Sequence, residues 1–302
     1  MKKKLIPALL MVSFLTTSIL TSCNREDETV TATSKEEAFV PTGQQLCGFV
    51  DFSWPLSAEL KTGLKEKKDT DFLKAELKKN ADLWGQETPT LGFVDLSIIG
   101  KLLGISKTYN AFSYSTGKIY YGYDLYYDAK SKGGDDNIAN ALIMAHEYGH
   151  QLQFKNNLPS VTENTARAQE LEADGLAGYY LRKPEGFNKT DFTQIAKAYE
   201  FAESIGDENT ESKNHHGTPT QRRVAVRLGF LLGEFKLTIK NFDSQFFHYY
   251  TSVLNGTDPT IKTNDPGFEL NSQIERKIQA HMKELKNIYS GEISAQEFKN
   301  LN

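Results

Sequence analysis

The stretch that most constrains this chain is the apolar run Ile138–Phe154, which carries Ala145-His146-Glu147-Tyr148-Gly149-His150 in its second half. A run of this length and character predicts a buried helix. Two histidines at i and i+4 lie one above the other on a single helix face. Both imidazoles can therefore reach one metal ion, and Glu147, one residue round the helix, borders the same place.

The pattern His146-Glu147-x-x-His150 is the HExxH arrangement of zinc hydrolases, with Glu147 in the position of the general base. The bland alternative is two satisfied helix histidines beside an exposed glutamate. The 302 residues can bury a large core without disulfide staples, and the 39% hydrophobic and 25% charged composition is that of a soluble globular chain. Net charge is −4, falling to −7 once Lys2, Lys3 and Lys4 are set aside. An acidic chain without a basic stripe and interleaved aromatics excludes nucleic acid as a partner.

Those three lysines open a secretion signal. They precede the apolar stretch Leu5–Leu20, and Leu20-Thr21-Ser22-Cys23 resembles the lipobox of bacterial lipoproteins, in which the cysteine is lipidated. Residues 1–22 are thus expected to be a signal peptide, Cys23 the lipid-bearing residue and 23–45 a polar, flexible tether. An uncleaved N-terminal anchor is the alternative. Either places the remainder, 46–302, outside the cytoplasm and tethered to a membrane. The expected site is the cell envelope, with the outer membrane of a Gram-negative bacterium favoured. The chain has two cysteines, Cys23 and Cys47. A disulfide between them is conceivable, but a thioether at Cys23 would prevent it.

Further along, Leu56–Lys68 and Asp71–Leu83 have apolar residues at helical spacing, and Pro89–Asp95 reads as a short strand. Lys118–Tyr127 is rich in β-formers and predicts a strand before the metal helix, where an edge strand could pair with an extended substrate. Gly133-Gly134-Asp135-Asp136 breaks the chain, and either aspartate can cap the helix. Asn255–Pro259 reads as a loop and Ser272–Tyr289 as an amphipathic helix that completes the domain.

Two histidines rarely hold zinc alone. The predicted helix Ala166–Leu181 carries Glu170 and Asp174 one turn apart, so both carboxylates face one way. Glu170 is assigned as third ligand, and Asp174 as the carboxylate that orients a ligating histidine. Ala173, Ala177 and Gly178 are small enough to let this helix approach the His146 helix. Glu172 is expected in solvent.

HExxH followed by Glu170-Leu-x-Ala-Asp174-x-x-Ala-Gly178 resembles the bacterial family of neutral zinc metallopeptidases, and more distantly the HtpX-type and CAAX-protease gluzincins. Ala198–Gly206 with Asp207, and His216-Gly217-Thr218-Pro219-Thr220-Gln221-Arg222, are similar to two further phrases of that family. The resemblance spans roughly residues 71 to 235. It implies an α+β, zincin-like (gluzincin) domain, mostly helical with a small sheet. The implied activity is that of a zinc-dependent endopeptidase acting on a peptide or protein substrate. Zinc would be held by His146, His150 and Glu170, one ion per chain, with Glu147 as general base. It further implies that His216 stabilises an oxyanion and that Arg222 supports Asp174. His215, Arg223 and Arg227 are expected at the surface. The competing class is a membrane-anchored binding lipoprotein with a non-catalytic zincin-like fold, which would have no need of Glu147.

Overall fold

The computed structural model describes residues 46–49, 57–104, 107–254 and 271–293. The signal sequence, Cys23, the tether and the Asn255–Pro259 loop lie outside the described residues. Five strands, β1 (Leu46–Gly48), β2 (Ala58–Lys61), β3 (Thr90–Leu96), β4 (Ala111–Tyr114) and β5 (Lys118–Gly122), form one sheet ordered β1-β4-β5-β3-β2. Only the β3–β5 pair is parallel. The helices are α1 (Lys67–Trp84), α2 (Ile98–Leu103), α3 (Tyr123–Lys132), α4 (Ile138–Asn156), α5 (Arg167–Arg182), α6 (Ala196–Glu203), α7 (Pro219–Leu232), α8 (Ile239–Leu254) and α9 (Ser272–Tyr289). The architecture is mixed α and β, with helices predominating over a small sheet.

Residues Ile138–His150 of α4 are buried without a break. A helix apolar all round has no solvent face, so it must lie between other layers. The sheet and α1 meet one side of α4, and α5 meets another; α7 then packs along α5, and α9 covers α7 with Ile274, Ile278, Leu285 and Ile288. One contiguous core runs from Phe49 to Ile288. Among the described residues no helix is long and apolar enough to cross a membrane.

Several local expectations are revised. Ala58–Lys61, within the first segment read as helical, is an edge strand paired with β3. The β-rich run from Lys118 divides: Lys118–Gly122 is a strand, but Tyr123–Tyr127 turns into α3, where Tyr123 and Tyr126 pack on a helical face. That strand is also internal, between β4 and β3, and so has no free edge for a substrate. Neither Asp135 nor Asp136 caps α4. The N-cap is Asn137, left-handed at φ 58°, its side chain engaged with Asn140 and Tyr126. Cys47 is disulfide-bonded, whereas the expected thioether at the chain's other cysteine, Cys23, argued against a pairing.

Small residues set the helix spacing, though partly between other helices than expected. A Cβ at Gly149 of α4 would meet Ala173 of α5 at 3.2 Å, whereas Gly178 faces α7, where a Cβ would lie 2.1 Å from the Val226 carbonyl oxygen. Gly229 of α7 abuts Gly175, its hypothetical Cβ only 1.8 Å from that residue's carbonyl oxygen. Backbone cannot yield as a flexible side chain would. Gly229→Ala should therefore destabilise the fold by about 1–3 kcal/mol or more, read as a lower urea midpoint at unchanged slope.

Candidate functional site

Helix α4 presents His146, Glu147 and His150, all fully buried. The two Nε2 atoms face each other at 3.0 Å because each Nδ1 is held from behind. His146 Nδ1 donates to Asp174 Oδ1 at 2.8 Å, and His150 Nδ1 donates to the side-chain oxygen of Gln153 at 2.8 Å. A carboxylate and an amide oxygen can only accept, so these partners assign a hydrogen to each Nδ1 and turn both Nε2 atoms inward.

Glu170, in the first turn of α5, completes the group. Its Oε2 lies 3.3 Å from His146 Nε2 and its Oε1 lies 3.5 Å from His150 Nε2. Neighbouring ligands of a tetrahedral ion with bonds of about 2 Å are separated by roughly 3.3 Å, so the two Nε2 atoms and the Glu170 carboxylate, one oxygen toward each imidazole, are spaced for one small divalent cation. Glu170 and Asp174, one helical turn apart, thus address the two nitrogens of the same imidazole. Behind them Arg222 grips Asp174 with two bonds, Nε to Oδ2 at 2.7 Å and Nη2 to Oδ1 at 2.8 Å.

The start of α7 explains how Arg222 arrives there. Thr218 and Gln221 form a reciprocal capping box and Pro219 occupies the first helical turn. Gly217, at φ 103°, turns the preceding chain. Asp207 secures that loop, accepting from His215 Nδ1 at 2.7 Å and from the His216 amide at 2.9 Å. His216 Nδ1 lies 3.3 Å from Glu170 Oε2, so the ring stands beside the third donor.

The electrostatics follow from burial and partners. Burial opposes a charged His146, but its hydrogen bonds to Asp174 and Glu170 and their charges outweigh it, raising the ring to about 9. His150, buried with only Gln153 behind it, falls to about 4. Glu170 stays well below the usual carboxylate range despite burial, because His216, His150 and His146 surround it. Glu147 goes the other way. Burial pushes it up to about 8, and neither of its oxygens has a hydrogen-bond partner. It is an orphaned carboxylate beside a convergent donor set.

The structure therefore brings together all seven residues singled out around the site: His146, Glu147, His150, Glu170, Asp174, His216 and Arg222. Its corrections concern their neighbours. Glu172 is buried rather than solvated, accepting from Gln153 Nε2 at 2.9 Å, and so extends the chain of contacts behind His150. His215 is buried on Asp207. Arg223 and Arg227 are buried too: Arg223 donates to the Ile293 carbonyl at 2.7 Å, and Arg227 pairs with Glu284 of α9. Gln153 was open to inference, being three residues beyond His150 on the same face. Ser113, whose hydroxyl donates to the Glu147 main-chain carbonyl at 2.6 Å, had no such signal. Nor did Cys47, whose sulfur lies within 4.8 Å of donor atoms of His150 and Glu170.

No family profile matches the chain, and no solved structure matches it. It is similar to the uncharacterized protein YpfJ of Escherichia coli K12, at 23% identity over 201 residues covering 56% of this chain and 70% of that protein. The YpfJ protein of E. coli O6:H1 aligns to the same extent.

The Asp174–Arg222 pair is buried on both sides, so removing one partner strands a charge in the core. Arg222→Ala should cost about 3–5 kcal/mol in denaturant unfolding. Arg222→Lys should recover only part of this, since an ammonium cannot make the two-pronged contact.

Proposed function

We propose that this chain is a zinc-dependent endopeptidase with a zincin-like fold. One observation carries the reading: three inward-facing donors, His146 Nε2, His150 Nε2 and a Glu170 oxygen, converge beside the unpartnered carboxylate of Glu147. Two imidazoles and a carboxylate are a donor set suited to zinc. When bound, zinc supplies a Lewis acid that makes water acidic enough to ionise near neutral pH and polarises a carbonyl.

The protein's own groups do the rest. Glu147 takes a proton from the attacking water and hands it to the departing amine. Glu147, raised by burial, would return to its ionised form beside a bound divalent cation and so be ready to accept. Asp174, fixed by Arg222, holds His146 in one tautomer and orientation, and Gln153 does the same for His150. His216 steadies Glu170 through Nδ1, leaving Nε2 as the ring atom that can serve an oxyanion.

An extracytoplasmic location belongs to the same proposal, as do anchoring through Cys23 and a peptide or protein substrate. A disulfide also suits an oxidising compartment. Lipidation and a disulfide exclude each other at the Cys23 sulfur, and the intact mass of protein isolated from membranes decides between them. A diacylglycerol gain establishes the anchor. A mass without lipid that rises by two hydrogens on reduction removes it.

The catalytic assignment is tested by metal content and turnover on a peptide panel. Glu147→Gln should retain one zinc per chain while turnover falls to background; appreciable residual hydrolysis would sink the general-base role. Glu170→Ala should lose the metal, and full zinc occupancy in that variant would remove Glu170 from the ligand set.

Proton linkage provides a separate check. In the metal-free protein His146 titrates at about 9, so near pH 7 it holds a proton that zinc must displace. Apparent zinc affinity should therefore rise with pH between about 7 and 9. Calorimetry at pH 7 in buffers of different ionisation enthalpy should show net proton release. Affinity independent of pH across that window would contradict a donor set that holds protons near neutral pH.

A further inference from the structure

Strand β1 is one of the two edge strands of the sheet. It contributes only three residues, Leu46–Gly48, added antiparallel along the outer edge of β4 with Leu46 opposite Tyr114, Cys47 opposite Ser113 and Gly48 opposite Phe112. The Phe49 amide extends the pairing to the Ala111 carbonyl at 3.0 Å. Of the strands, β4 lies closest to the donor helix through the Ser113 contact to Glu147, so an added strand on its far side runs past the site.

What β1 presents there is specific. The Phe49 ring stands edge-on to the His146 imidazole, centroids 5.0 Å apart, and the Arg222 guanidinium lies 5.1 Å above the Phe49 ring. Arg222 Nη1 also donates to the Phe49 carbonyl at 3.2 Å. Cys47, the other residue on that face, places its sulfur within 4.8 Å of donor atoms of His150 and Glu170. Cys47 and Phe49 are both buried. A short extended segment paired by main chain to a sheet edge, with alternate side chains directed at a site, is how edge strands receive peptides.

Resting on the peptidase reading, we propose that Leu46–Phe49 is an autoinhibitory segment. It occupies along β4 the place of an extended peptide substrate, and it must leave before a peptide binds.

The test uses the full chain loaded with zinc and a peptide hydroxamate as probe. Wild type is compared with two variants. In Gly48→Ala the new Cβ would lie 2.5 Å from the Phe112 ring of β4, crowding the pairing of β1 with β4. Phe49→Ala removes the ring from His146. Hydrogen exchange across α4 confirms that each variant is folded.

Both variants should bind the hydroxamate about tenfold more tightly or better, because the competent state no longer has to be opened first. In wild type, hydroxamate binding should deprotect the Leu46–Phe49 amides while β4 stays protected. Equal affinity in all three proteins, with those amides protected throughout, overturns the proposal and makes β1 a permanent strand. That result leaves the peptidase reading intact if turnover is present. Zinc-loaded variants that bind no hydroxamate and turn over no peptide overturn both.

Discussion

The site rests on the buried pairing of Asp174 with Arg222. Two fully buried charges of opposite sign gain from each other but lose their hydration, and the net effect of such a pair on stability is small or unfavourable against an apolar alternative. Its contribution here is geometric. Asp174 Oδ1 receives both Arg222 and His146, which sets the imidazole plane and faces Nε2 toward His150 and Glu170. With Asp174 neutralised by Arg222, the carboxylate does not add a second negative charge to the one that Glu170 brings. The same guanidinium reaches the Phe49 carbonyl, so one side chain ties together α5, α7 and the segment across the site.

A second network holds the other end of α4. Tyr121 Oη donates to Asn140, whose amide donates to Asn137 and to the Tyr126 carbonyl, while Asn137 bonds the Tyr126 hydroxyl. These contacts join β5, α3 and the first turn of α4 without any charge. The helix is thereby fixed at its start by neutral hydrogen bonds and at its site by charged ones. Between them Ala141–Ala145 are buried by packing, and at the site Gly149 lets α5 approach closely.

Much of the site was legible because it is written in local periodicity. The i, i+4 spacing of His146 and His150 and of Glu170 and Asp174 fixes side-chain direction once each segment is helical. The start of α4 and both limits of α9 followed from their apolar patterns, while α4 runs two residues past Phe154. What could not be read depends on distant partners. Arg223 and Arg227 look like surface charges until α9 and the Ile293 carbonyl are brought against them, and Glu172 looks solvated until Gln153 closes over it. Tyr123–Tyr127 shows the same limit. Aromatic content favours a strand, yet packing of Tyr123, Leu125 and Tyr126 in the core selects a helix. The placement of β1 had no local signal, because pairing with β4 joins residues more than sixty positions apart.

The capping box at Thr218 has a consequence for how the chain can vary. A helix advances about 100° per residue, so the residue that starts α7 determines which direction every later side chain faces. Arg222 is the fourth residue of that helix, and inserting or deleting one position after Thr218 would swing it away from Asp174 by more than a quarter turn. Before the cap no such phase has to be kept. The loop behind His215 carries no such phase, whereas the interval from Thr218 to Arg222 cannot change in length without moving Arg222 off Asp174.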